Sequence, residues 1–134
     1  MSTTPTDVKM PRPAALLIFI FLAAACGGSS RPELSTEGER GRRIANTSGC
    51  AACHGADGSG GVGPKFVGLY GSTVTLTDGS TVVADDVYLR RSITDPEAET
   101  VDGYTDSLVM PTSGLSADDI EAVLAYIREL GPTP

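Results

Sequence analysis

Within five consecutive residues the chain places two thiols and an imidazole, Cys50-Ala51-Ala52-Cys53-His54, and few arrangements use all three. A thioredoxin-like redox pair needs a strand-to-helix context and has no use for His54. Half of a zinc site needs two further ligands, whereas the chain holds one His in total and no Cys beyond position 53. The spacing suits covalent haem attachment. Two thiols can add to the two vinyl groups of the porphyrin, and the next residue sets an imidazole beneath the iron.

The remainder of the chain has room for such a plate. Of 134 residues 16 are glycine, and aromatics make up 5%. A small domain with long loops and few aromatics buries little apolar surface per residue, and such scaffolds rely on a cofactor or staple. A haem would provide a large apolar surface for helices and loops to pack on.

Not all of the length belongs to the domain. Lys9 and Arg12 precede an apolar run from Ala14 to Leu22, which the small residues Ala23-Ala24-Ala25 lead to Cys26. A basic start, a short apolar stretch and a small-residue exit describe a secretory signal. The stretch from 14 to 25 is too short for a bilayer-spanning helix, which needs roughly 20 residues. Ala23-Ala24-Ala25-Cys26 resembles the bacterial lipobox, although that motif most often has Leu where Ala23 stands. The resemblance implies that Cys26 becomes the lipidated first residue, and several acyl chains would hold a domain at a membrane surface. The expected organisation is a signal peptide over 1–25, a lipid-anchor tether over 26–34 and one monohaem domain over 35–131. All three cysteines are then assigned, one to lipid and two to haem.

Removal of residues 1–25 takes Lys9, Arg12 and Asp7 from the totals of 10 basic and 17 acidic residues, leaving 8 against 16. That balance argues against nucleic acid or an anionic membrane surface as partner. It favours docking to basic or apolar patches.

Thr36-Glu37-Gly38-Glu39 offers a helix start with acids in the first turn, and the helix would run over 37–48 to Gly49. Residues 55–72 are glycine-rich loop. Asp78-Gly79 between Val74-Thr75-Leu76-Thr77 and Ser80-Thr81-Val82-Val83 predicts a β-hairpin. Asp85 can cap a helix over 86–94 with Val87, Leu89 or Arg90, and Ile93 facing inward, ended by Asp95-Pro96. A second loop covers 96–115. Ser116 caps a last helix whose Ile120, Val123, Leu124 and Ile127 follow helical spacing, and Gly131-Pro132 stops it.

With one His in the chain, the second axial iron ligand is Met110, Lys65 or an open site. Met1 and Met10 lie in the segment to be removed, so Met110 is the sole methionine of the processed chain. Its place in a loop, followed by Pro111, suits a ligand better than core filler.

Residues 36–131 resemble a class I cytochrome c, with a first helix, C-x-x-C-H, a proline-containing loop, Met-Pro and a last helix. The resemblance implies a mainly α fold in which N- and C-terminal helices cross around one covalent haem c, with Gly-rich loops and a small hairpin. It further implies that Gly41 lets the last helix approach, that Tyr126 meets it there, and that the Pro64 carbonyl accepts a hydrogen bond from Nδ1 of His54. Gly63-Pro64-Lys65-Phe66-Val67-Gly68-Leu69-Tyr70-Gly71, the hairpin and Tyr88-Leu89-Arg90-Arg91-Ser92-Ile93 are similar to the cytochrome c domain fused to subunit II of certain haem–copper oxidases. No copper-binding part precedes it here, which implies a free-standing lipoprotein relative. Such a protein would carry single electrons from a quinol-oxidising complex or dehydrogenase to a terminal oxidase, in the bacterial periplasm or on the outer face of the cytoplasmic membrane. Exchange is expected at the haem edge near Cys50, Cys53 and the Met110 loop, among apolar residues such as Val62 and Leu108. Two other readings compete. A labile sixth site would suit gas sensing or peroxide chemistry, and an accidental motif would leave a structural lipoprotein. Arg42, Arg43, Arg90 and Arg91 read first as solvated surface, with contact to haem propionates the lesser alternative. Tyr70 and Tyr104 are further candidates for that contact.

Overall fold

The computed structural model describes Met1, residues 32–104, Met110 and residues 114–131. Residues 2–25 of the expected signal peptide, Cys26 and residues 27–31 of the expected tether lie outside the described residues, as do Leu108 and Pro111 beside Met110. Six elements follow in order: α1 (Thr36–Thr47), α2 (Cys50–His54), β1 (Thr73–Thr75), β2 (Thr81–Val83), α3 (Asp86–Thr94) and α4 (Ala117–Glu129).

Helix α1 is capped by Ser35, one residue earlier than local reading suggests. The Ser35 hydroxyl accepts from the Gly38 N–H at 3.1 Å. A tertiary contact selects it over Thr36, because Ser35 also donates to the Glu129 carboxylate through its N–H at 2.7 Å and its hydroxyl at 2.6 Å. This sets a carboxylate from the end of α4 at the start of α1, where the helix dipole favours negative charge. Ser35→Ala removes the cap, and the expected loss is about 1 kcal/mol. It is measured as a lower urea midpoint with an unchanged slope.

Helices α1 and α4 cross at Gly41. A Cβ built there would overlap the Ala122 carbonyl and stand 2.9 Å from the Tyr126 Cβ, so the crossing distance requires glycine. In α4 the stripe Ile120, Val123, Leu124 and Ile127 is buried, and Ala122 and Tyr126 are buried beside it because α1 covers a second face. Ser116 caps α4, its hydroxyl accepting from the Asp119 N–H at 3.2 Å.

Helix α3 starts as read, with the Asp85 carboxylate accepting from the Tyr88 N–H at 2.9 Å. Its inward face differs. Tyr88 and Leu89 are buried, while Val87 is 75% exposed. Nine residues with few apolar positions do not determine a helix's rotation. Packing against α4 does, with Asp86 paired to Arg128 at 2.6 Å and Arg90 to Glu121.

The hairpin is antiparallel in the register Thr73–Val83, Val74–Val82 and Thr75–Thr81. Its loop has three residues and not two. The Gly79 N–H donates to the Leu76 carbonyl at 2.9 Å, the Leu76 N–H donates to the Ser80 carbonyl at 2.9 Å, and Gly79 has φ of +83°. Asp78 keeps a negative φ, as a turn followed by a left-handed glycine requires. A two-stranded hairpin is marginal alone, and part of the loop read as unstructured supports it. Val101 bridges Leu76, the Thr77 N–H donates to the Thr100 carbonyl and the Asp102 N–H to the Thr75 carbonyl, both at 2.9 Å.

Among the described residues no helix is long and apolar enough to cross a membrane.

Candidate functional site

The attachment motif is itself a short helix, α2, which the sequence reading left without structure. Gly49 enters it with φ of +88°, a left-handed turn that a side chain would strain. Cys50 and Cys53 are three residues apart, so one helical turn puts both thiols on the same face, with His54 next in line. Both cysteines are free thiols and half-buried. Burial raises the Cys50 thiol's pKa, its own backbone hydrogen bond opposes this, and Cys53 adds to the rise.

After His54 the glycine-rich loop folds back over the imidazole. The Gly60 N–H donates to the His54 carbonyl at 2.8 Å and the Gly63 N–H to the Cys53 carbonyl at 2.9 Å. A Cβ at Gly63 would come within 3.2 Å of the His54 ring and the Cys53 Cβ, so only glycine passes comfortably. The loop thereby brings the Pro64 carbonyl 2.6 Å from His54 Nδ1. A carbonyl can only accept, so Nδ1 carries the proton and Nε2 keeps its lone pair. Burial lowers the His54 pKa, and the Pro64 bond partly offsets this. The imidazole is thus neutral at neutral pH, as a metal donor must be.

Phe66 lies flat against the other side of this arrangement. Its ring stacks on the His54 ring with centroids 4.4 Å apart and planes 19° from parallel. Phe66 in turn meets Tyr126 edge-on at 6.3 Å and 87°.

Between these loops and the helices lies a cavity of about 520 Å³. Cys50, Cys53 and His54 occupy one side, with Val62, Gly63, Pro64 and Phe66. Leu89 and Ile93 of α3, Val123 and Ile127 of α4, Val101, Leu115 and Met110 are among the other lining residues. The space is suited to a flat apolar ring, and the donor chemistry suits haem: two thiols and one lone-pair imidazole, with a methionine among the residues lining the same void. Lys65 is not among the described residues lining it. The lining includes Tyr104 but not Tyr70, which instead lies under the Arg128 guanidinium at 5.8 Å. Arg42, Arg90 and Arg91 are engaged at the surface with Glu39, Glu121 and Glu99. Among the described lining residues there is no Lys or Arg; the polar ones include Ser48, Ser92, Glu97, Glu99, Thr100 and Tyr104.

A family model described as Cytochrome c matches residues 38–131. The chain belongs to the cytochrome c family. With it comes covalent haem c, for which Cys50, Cys53 and His54 are the matching attachment residues, and a role in haem-based electron transfer. The crossing of α1 with α4, the small hairpin and the loop-lined cavity are those of the class I cytochrome c fold. A comparison with individual curated proteins returns no match.

Sequence reading named the motif, Pro64 and Met110 as candidates, and Gly41 and Tyr126 at the helix crossing. It missed the contributions of Gly63 and Phe66. Their signal was their place around Pro64, but a glycine's need and a ring's partner are set by neighbours distant in the chain.

Proposed function

We propose that this cytochrome c is a respiratory one-electron carrier whose haem iron is held by His54 and Met110. The observation that supports this most is that both residues line the same cavity. When bound, the haem supplies a one-electron iron couple, and methionine ligation raises its potential. The protein's part is to hold that couple still. The Pro64 carbonyl fixes the His54 tautomer and strengthens the imidazole as donor. Apolar side chains of α3 and α4 line the cavity and would pack against the ring.

Val62, 57% exposed yet on the cavity wall, offers apolar contact at the mouth for a redox partner. The acidic balance of the processed chain favours basic or apolar docking surfaces, on a quinol-oxidising complex or dehydrogenase on one side and a terminal oxidase on the other. Lipid on Cys26 would keep the carrier at the outer face of a bacterial membrane beside them. In this reading the domain is related to the cytochrome c domain of oxidase subunit II, and copurification after mild detergent extraction identifies its partner.

Met110→Ala tests the ligation. The expected result is loss of the weak long-wavelength charge-transfer band of methionine–iron(III) and a fall in potential on the order of 0.2 V, within the ~0.8 V that axial ligands span. An unchanged spectrum and potential would overturn the reading and leave Met110 as packing.

A further inference from the structure

We infer that Phe66 is the positioning residue that fixes the plane of the His54 imidazole. The covalent tether at Cγ and the Nδ1–Pro64 bond together set the ring's mean orientation. A hydrogen bond nevertheless tolerates a range of rotation about the Cβ–Cγ bond before it is lost. A contact on the ring's face narrows that range. The Phe66 ring provides it, nearly parallel to the imidazole and 4.4 Å from it.

Phe66 is itself immobilised. It is 8% exposed, and its N–H donates to the Gly58 carbonyl at 2.8 Å. Gly58, at φ of +74°, has no space for a side chain, because a Cβ there would meet the Phe66 Cβ at 3.1 Å and the Leu130 Cδ1 at 2.7 Å. The edge-on contact with Tyr126 links Phe66 to the residue that packs on Gly41. The imidazole plane is therefore referenced to the crossing of α1 and α4.

This inference rests on His54 as the iron ligand. The orientation of an axial imidazole decides which porphyrin positions carry unpaired spin in the oxidised state. Proton NMR of the haem methyl groups reads that distribution directly. In oxidised holoprotein Phe66→Leu, which fills space but presents no flat face, the haem-methyl resonances change their order and spread. Phe66→Tyr keeps the ring and keeps the native pattern. Both a positioning and a merely packing role lower the thermal stability of the Leu variant, so stability is not the deciding measurement. A Leu variant with the native methyl pattern overturns the inference. If it does not hold haem, Phe66→Met, unbranched and able to fill the gap, carries the same expectation and the same overturning result. Failure of the underlying ligation looks different, since oxidised wild-type protein would then show no hyperfine-shifted His54 imidazole resonances.

Discussion

Gly41→Ala is expected to destabilise the holoprotein by about 2–3 kcal/mol and to lower its melting temperature by about 10–20 °C. Alanine is the better helix former by about 1 kcal/mol, and α1 by itself would gain from it. The gain is outweighed because the new Cβ would overlap the Ala122 carbonyl. That group is backbone in the middle of α4 and can move only if the whole helix moves. Separating α1 from α4 loosens Tyr126 at the same point. Gly38→Ala provides the internal comparison. There the Cβ would meet the Glu129 carboxylate, the far end of a flexible side chain, which can turn aside at the cost of its bonds to Ser35. Thermal melts of the two variants followed at the haem absorbance should rank Gly41→Ala well below Gly38→Ala. Equal losses would sink the argument that backbone contact at the crossing is decisive.

The larger effect comes from losing the haem. Cys50→Ala/Cys53→Ala removes both attachment points, and the expected outcome is a chain with no covalent haem and no cooperative thermal transition. A cavity of about 520 Å³ left empty costs on the order of 12 kcal/mol, at roughly 24 cal/mol per Å³. The opening of the cavity to solvent and partial collapse of its loops reduce that figure. Even half of it rivals the whole stability of an ordinary domain, roughly 5–15 kcal/mol. The described core offers little compensation: it consists largely of Ala45, Phe66 and residues of the hairpin, α3 and α4 grouped around the void. Circular dichroism on the double variant checks this. A sharp unfolding transition near that of the holoprotein would show that the fold stands without its cofactor.

Much of this molecule was legible in its residues because the deciding signals are local. The thiols and imidazole of Cys50, Cys53 and His54 are contiguous, and their chemistry requires that spacing. Asp85 and Ser116 cap helices through bonds to N–H groups three residues away. Ile120, Val123, Leu124 and Ile127 repeat at the period of a helix, and all four are buried. The uniqueness of His54 in the chain and of Met110 after position 25 narrowed the choice of ligands by counting alone.

Other features depended on distant partners. Ser35 caps α1 in place of Thr36 because Glu129, at the far end of the chain, receives its bonds. Val87 faces solvent and Tyr88 the core because contact with α4, not the sequence of α3, sets that helix's rotation. The loop after α3 gains partial pairing only because the hairpin stands beside it. The attachment motif shows the division most clearly. Its five residues determined by themselves that haem c would be bound, since covalent chemistry needs only atoms within reach. How the imidazole is held was decided by the tertiary structure. The carbonyl of Pro64 and the ring of Phe66 reach His54 only after a glycine loop has folded back and two helices, nearly the whole domain apart in sequence, have crossed.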